Sequence, residues 1–478
     1  MGFMNRKIGV GILWNLASLL LTRGVSTVFM LYLARMLAPG AFGLVAMAAV
    51  VFELASSFVN SGLGVALIRS KEVSDADLNT VFYTNLGLSL VAYVAIYASA
   101  PHIAVFYSQP ELTSLVQAMG LVVFINAAKI VQSAVLTRKM DFKTQMKADT
   151  LAIVVSGLLA VTAAYQGWEE WSLVVQMLSQ AAVSAVVIWV VGDWRPASQF
   201  SPESFSRLFA FGRNLLAEGL LSVLYLNSYI LVIGRFFSSE VTGLYFFAQK
   251  ISNLISEQLT DAIQRATFPA LSTLQDENVK LKQKYRQIMQ LMMFLIAPIM
   301  MLLAALAPQL ITLMFDEQWQ GVVPYLQLLC VVGMIYPLHA LNINLLNVKG
   351  RSDLIFRVGL VKKAVNLAML FLAIPFGVLG IIVSRVIGTV LALIPNTYFS
   401  ARLIGYSTVE QVKDVIKPIF AALLAGACAH WSAQIIPGHP LLMLMLPGFV
   451  GIGIYIVVSF IVRAEGALIL WGKVADWL

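Results

Sequence analysis

Long apolar runs separated by short polar or Pro/Gly-marked connections recur along the whole chain. They lie near 8–34, 41–68, 78–100, 112–136, 149–165, 171–192, 210–234, 240–268, 287–314, 322–347, 354–375, 378–401, 415–436 and 441–462. A helix needs roughly 20 apolar residues to cross the hydrocarbon core of a bilayer, so the pattern predicts an all-α integral membrane protein of about 14 transmembrane helices. Several runs exceed that length, which predicts tilt or kinks at Pro298, Pro337 and Pro395.

The connections carry a second pattern. Lys and Arg collect on the cytoplasmic side of membrane proteins. Of the 32 basic residues, 23 fall in alternate connections or at the ends, from Arg6 and Lys7 to Arg463 and Lys473, whereas the intervening connections hold only Arg35 and Arg235. The alternation predicts a multi-pass protein with both termini cytoplasmic. The first run is too long for a signal-peptide core and has no Ala-x-Ala cleavage site, so it is expected to remain as a span.

Composition agrees with this picture. Apolar residues make up 59% of the chain and charged residues 12%, about half the usual charged fraction of soluble domains. The net charge of +8 is scattered between apolar runs as topology signals are, which argues against nucleic acid as a partner. Cys330 and Cys428 sit inside apolar runs without metal-ligand spacing and read as packing residues. Gly-x-Ser-x-Gly, His-Glu-x-x-His and Walker-type motifs are all missing, and the longest outer connection, 315–322, offers Asp316 and Glu317 without a base partner. The reading is therefore a non-enzyme without metal or organic cofactor.

The two outer arginines open similar segments, Arg35-Met-Leu-Ala-Pro-Gly-Ala-Phe-Gly43-Leu44 and Arg235-Phe-Phe-Ser-Ser-Glu-Val-Thr-Gly243-Leu244, 200 residues apart. Spans one to six and seven to twelve thus read as parallel repeats. The domain organisation expected is an N-lobe (1–195), a cytoplasmic linker (196–209), a C-lobe (210–403) and two additional helices (404–478).

Charges inside the spans are the candidate chemistry: Arg23, Lys129, Lys250, Arg265, Lys362, Lys363 and Arg385, with Glu53, Glu218, Glu257 and Asp261. Each costs roughly 2.5–3.5 kcal/mol at a helix centre, so they are expected to face a bundle interior or watery cavity. Polar residues indeed recur every three or four positions, forming one wet face per helix. The stripes are Asn15, Ser18, Thr22 and Ser26, with Arg23 beside them; Glu53, Ser57 and Asn60; Asn126, Lys129 and Ser133; Asn214, Glu218, Ser222, Tyr225 and Tyr229; and Lys250, Asn253, Glu257, Asp261, Gln264 and Arg265. Pairing within a helix, such as Asp261 with Arg265, is the structural alternative for these groups. Lys362 and Lys363 carry less weight because either can snorkel, and His339 because a single histidine is commonly a hydrogen-bonded structural residue.

Five strings resemble bacterial polysaccharide flippases, the Wzx-like polysaccharide transport branch of the multidrug/oligosaccharidyl-lipid/polysaccharide exporter superfamily, with colanic-acid-type exporters the nearest in look. They are Gly62-Leu-Gly-Val-Ala-Leu-Ile-Arg69-Ser-Lys71, Asp77-Leu-Asn-Thr-Val-Phe82, Leu136-Thr-Arg138-Lys139-Met-Asp-Phe142, Phe268-Pro269-Ala-Leu-Ser-Thr-Leu-Gln275 and Leu346-Asn-Val-Lys-Gly350-Arg351-Ser-Asp353. The resemblance implies two six-helix lobes in a V-shaped bundle around a central cationic cavity, working by alternating access in the bacterial inner membrane. Its implied cargo is an undecaprenyl-diphosphate-linked oligosaccharide for exopolysaccharide or O-antigen-type biosynthesis, with membrane lipids, a polysaccharide polymerase and chain-length machinery as partners.

Under that reading Arg23, Lys129, Lys250, Arg265 and Arg385 form the head-group path, since a diphosphate at membrane depth needs cations. Glu53, Glu218, Glu257 and Asp261 balance those charges or bind H+ or Na+ as a coupling ion. A small-molecule antiporter for organic cations stays open as an alternative and would want an acid-dominated cavity. A membrane glycan polymerase or ligase is the second alternative and would want a sizeable outer loop.

Overall fold

The computed structural model describes residues 22–60, 62–436 and 439–475. Among these, all regular structure is helical. The α-helices are α1 (22–36), α2 (Pro39–Asn60), α3 (Leu63–Arg69), α4 (Asp75–Tyr107), α5 (Leu112–Arg138), α6 (Phe142–Tyr165), α7 (Glu170–Val191), α8 (Pro202–Leu226), α9 (Ser228–Phe236) and α10 (Ser239–Ser272). They continue with α11 (Asn278–Ala305), α12 (Ala307–Met314), α13 (Val322–Val348), α14 (Ser352–Ala373), α15 (Gly377–Leu391), α16 (Leu393–Ile404), α17 (Thr408–Ile435), α18 (Pro440–Ile461) and α19 (Glu465–Ala475). Asn15 and Ser18, and most of the first predicted span, lie outside the described residues.

Local chemistry sets the helix ends. Ser74 and Asp77 form a reciprocal capping box at the start of α4, as Ser407 and Glu410 do for α17. Lys282 donates to Glu410, and together with the Ser407 amide it holds that carboxyl below its ordinary range. Asp141 accepts from the Thr144 amide at 3.1 Å, so α6 begins at residue 142, two turns before the run near 149–165. Ser201 caps α8, with Pro202 in its first turn.

Nine of the described helices are long and apolar enough to cross a membrane, or ten if α8 and α9, bent by 45°, count as one span. One of the nine is the 53-residue stretch Ser352–Ile404. At 1.5 Å per residue it would be far longer than a bilayer is thick. Gly377, at φ +71°, follows the short 3-10 turn Ile374–Phe376 and brings α15 back against α14.

Length and apolarity alone therefore do not reach the expected count of fourteen. Lys250, Glu257, Asp261 and Arg265 load α10 with charge, most of the first predicted span lies outside the described residues, and Ser352–Ile404 counts once. The proline expectations shift as well. Helices α11 and α13 run through Pro298 and Pro337, and the breaks fall at Leu306, just before Pro308, and at Ala392, three residues before Pro395.

By proximity the chain forms two compact units, Met1–Gly243 and Leu244–Leu478, whose boundary lies in the first turns of α10. In the first unit, α4 packs on α5, α6 on α7, and α2 and α7 on α5. In the second, α11 packs on α13 and α17, α17 on α18, and α13 and α14 on α15. Outward faces remain apolar: Val91, Val94, Phe420 and Leu423 are all exposed, as lipid contact requires.

The 200-residue offset has a physical counterpart. A Cβ on Gly43 would run into the Ser239 carbonyl, and one on Gly243 into the Pro39 carbonyl, so each glycine accommodates the other segment's backbone. Deeper in, Met47 lies in a buried cluster with Tyr107, Leu112 and Leu115, while Phe247 packs edge-on against Phe315 and 4.5 Å, centroid to centroid, from Trp319.

The strings that carry the resemblance make structural contacts. Arg138 donates to the carbonyls of Leu67, Ser70 and Lys71, closing the end of α3, and Lys349 similarly donates to the Gln275 carbonyl and to Asn278 Oδ1. Asp77 pairs with Arg207, Asn79 and Thr80 accept from the Ala197 and Ser201 amides, and Phe82 packs against Trp189 and Trp194. Segment 193–201 is thereby fastened to the start of α4.

Close backbone approach at the paired glycines gives a direct test. Gly43→Val and Gly243→Val are each expected to destabilise the protein by about 1–3 kcal/mol or to prevent folding. Gly87→Val and Gly359→Val, where a Cβ meets nothing within 4 Å, are expected to be far milder. Thermal unfolding of the detergent-purified variants, followed by size-exclusion, checks this order.

Candidate functional site

Three of the predicted wet faces converge in the first unit. A chamber of about 830 Å³ is lined by Glu53, Ser57 and Asn60 of α2, by Asn126, Lys129 and Ser133 of α5, and by Glu218 of α8. Every described member of the α2 and α5 stripes is on its wall. Ser56 and Thr137 add hydroxyls, and Phe52, Val65, Val123 and Val223 add apolar surface. Burial of large apolar residues behind α2 and α5, such as Met47, Leu115 and Met119, fixes which faces remain for the chamber.

Glu53 and Lys129 are tied to partners on other helices, and Glu218 to one on its own. Asn227, at the break between α8 and α9, donates to Glu53 Oε2 at 2.7 Å and to the Val223 carbonyl at 3.1 Å. Its amide thus compensates both the bent backbone and an intramembrane carboxylate. Glu218 accepts from Ser222 at 2.8 Å. Lys129 Nζ donates to Ser184 Oγ of α7 at 3.0 Å, and Ser184 donates to Asp149 Oδ1 of α6 at 3.1 Å. A basic group, a hydroxyl and an acid on three helices therefore form one chain.

The other predicted residues are placed elsewhere. Arg23 is exposed near the start of the described chain. Lys250, Glu257, Asp261 and Arg265 share α10 in the second unit, where Lys250 and Arg265 are exposed and Glu257 and Asp261 half-buried. Among the described residues no ion pair joins Asp261 to Arg265. Arg385 is a brace from α15 to α10. It donates to the buried Tyr245 hydroxyl and, with the Gln249 amide oxygen turned toward it, to that oxygen at 3.0 and 3.1 Å.

His339 is fully engaged. Its Nε2 donates to the Thr389 carbonyl at 3.0 Å while Nδ1 accepts from Asn396 at 2.6 Å. Lys362 and Lys363 are half-buried, and Lys362 lies within electrostatic reach of His339. Of the five proposed head-group cations, the chamber wall holds only Lys129, against the two acids Glu53 and Glu218.

Sequence reasoning missed Asp149, Ser184 and Asn227. Asp149 was hidden because the fifth span was begun there, although Asp149 and Ser156 lie seven residues apart on one helical face. Ser184 and Asn227 carry no charge, and nothing along their own helices distinguishes them.

Comparison with known proteins adds the family context. The family described as "Polysaccharide biosynthesis protein" matches residues 32–324, which include every residue lining the chamber. The lipopolysaccharide biosynthesis protein WzxC of Escherichia coli (strain K12) is 26% identical over 393 residues, 82% of this chain and 78% of that protein. The succinoglycan biosynthesis transport protein ExoT of Rhizobium meliloti (strain 1021) is 24% identical over 478 residues, 98% of this chain and 94% of that one. Among solved structures, the lipid II flippase MurJ in its inward closed conformation aligns with a TM-score of 0.76 at 10% identity, over 95% of this chain and 99% of that chain. At that identity the likeness shows a shared fold. With more than half of its residues matched, the chain belongs to the polysaccharide biosynthesis protein family.

Proposed function

We propose that this protein is a flippase for lipid-linked oligosaccharides, moving undecaprenyl-diphosphate-linked polysaccharide units from the cytoplasmic to the outer leaflet of a bacterial inner membrane by alternating access. The observation that carries the reading is the convergence of Glu53, Lys129, Glu218 and a set of Ser, Thr and Asn side chains on one chamber in an otherwise apolar helix bundle. Such groups are expensive in hydrocarbon and are retained where a polar cargo passes. Family membership and relatives named for lipopolysaccharide biosynthesis and succinoglycan transport supply the cargo class. The glycan is moved without covalent change, and a polymerase with its chain-length machinery would act on it afterwards.

Glu53 and Glu218 of the first unit, and Glu257 and Asp261 of the second, are the proposed sites for a coupling H+ or Na+. A second reading is favoured by one feature of the chamber. Its two carboxylates against one ammonium would also suit an organic cation, so efflux of ethidium from proteoliposomes at the rate of lipid flipping would favour an antiporter.

In proteoliposomes containing fluorescent undecaprenyl-diphosphate sugar, the wild-type protein is expected to equilibrate the lipid between leaflets. Glu53→Gln and Lys129→Ala are expected to slow this about tenfold or more. Rates equal to empty vesicles in the wild type would contradict the proposal. The charge bias of the connections sets a separate expectation in intact cells, once Cys330 and Cys428 are replaced. Cysteines at Gln109, Gln166 and Gln320 should react with a membrane-impermeant maleimide, and those at Lys71, Lys143 and Lys284 only after permeabilisation.

A further inference from the structure

Lys129 does more than line the chamber. It also stands on the wall of a smaller cavity of about 250 Å³, together with Phe52 and Asn126, which the two cavities share. The remaining polar lining of this side cavity is Asp149, Gln180 and Ser184, and Met177 and Ala181 extend the apolar surface begun by Phe52. The lining thus combines one aromatic ring and aliphatic groups with a set of hydrogen-bonding groups.

Its electrostatics distinguish it from a phosphate or cation site. The Lys129 ammonium and Asp149 carboxylate are bridged through Ser184 at 3.0 and 3.1 Å, so they largely cancel at a distance while each retains hydrogen-bonding capacity. Among the described residues, no hydrogen bond engages the side-chain amides of Asn126 or Gln180. Their donors and acceptors are available to a ligand. The cavity is smaller than the roughly 300–1,000 Å³ that holds a drug-sized molecule.

A single neutral pyranose has matching features. Its ring presents an apolar C–H face suited to an aromatic wall, and its equatorial hydroxyls each donate and accept. We propose that this side cavity is a subsite for one uncharged sugar ring of the transported glycan, held by Asn126, Lys129, Asp149 and Gln180 and stacked against Phe52. The assignment rests on the flippase reading above and gives the first unit a role in choosing the cargo. Ser184 acts here as a positioning residue, fixing the distance between the ammonium and the carboxylate.

The test uses the full chain in nanodiscs and native mass spectrometry. The probes are undecaprenyl diphosphate alone and the same lipid bearing one glucose, galactose, N-acetylglucosamine or glucuronic acid. Wild-type protein is expected to bind at least one neutral-sugar lipid about tenfold or more tightly than the sugar-free lipid, and more tightly than the glucuronate lipid. Gln180→Leu, at an exposed position, and Ala181→Phe, which fills the cavity, are each expected to bring that ratio close to one. An unchanged ratio in folded Gln180→Leu protein would overturn the subsite. Equal binding of all five lipids by the wild type would overturn the subsite and leave the flippase reading standing, whereas binding of none would remove the flippase reading itself.

Discussion

Hydrocarbon cannot hydrogen-bond, and that constraint organises this molecule. Any charged or amide side chain within a span must meet another protein group or a watery space. On α2 and α5 this turns Glu53, Ser57, Asn60, Asn126, Lys129 and Ser133 toward a common chamber, while Val91, Val94, Phe420 and Leu423 on other helices stay exposed on outward faces. The same pressure explains Asn227, which satisfies the carboxylate of Glu53 and the backbone at the bend where α8 gives way to α9. It also explains why Lys129 and Asp149 are linked through Ser184 and not left to pair with lipid.

A second constraint is backbone proximity. Gly43 and Gly243 occupy equivalent places in two similar segments, and each leaves room for the other's neighbouring carbonyl. Aromatic or methionine side chains one turn further on, Met47 and Phe247, are buried in separate clusters. Of the basic residues at the ends of α5 and α13, Arg138 closes the end of α3 and Lys349 fastens the connection between α10 and α11. The strings that resemble polysaccharide exporters therefore mark helix ends and their fastenings, and those at 62–71 and 136–142 also reach the chamber wall through Val65 and Thr137.

Much of this was legible along the chain. Spacing of three and four placed both complete stripes on one wall, and the 200-residue offset identified the glycines that meet. What could not be read was which group on another helix answers each charge. Asp149 looked like the edge of a span because its helix starts seven residues earlier, at the Asp141 cap. Arg385 stood alone on its own helix in the sequence, and the partners it meets, Tyr245 and Gln249, come from α10. Of the charges along the chain, the chamber of the first unit carries two acids, Glu53 and Glu218, and one lysine, Lys129. Among the described residues the span count is lowered by α10, whose charges weaken its apolar signal without preventing a long helix, and by Ser352–Ile404, which counts once.

The central claim is that a lipid-linked glycan occupies the polar chamber during transport. Photo-crosslinking in cells tests it most directly, with a benzophenone amino acid placed at Asn126 on the chamber wall and, for comparison, at Val91 on the outward surface. The account predicts that mass spectrometry of the Asn126 adduct will identify undecaprenyl diphosphate carrying sugars, while the Val91 adduct will contain ordinary phospholipid. Phospholipid alone at both positions, in cells making the polysaccharide, would contradict it.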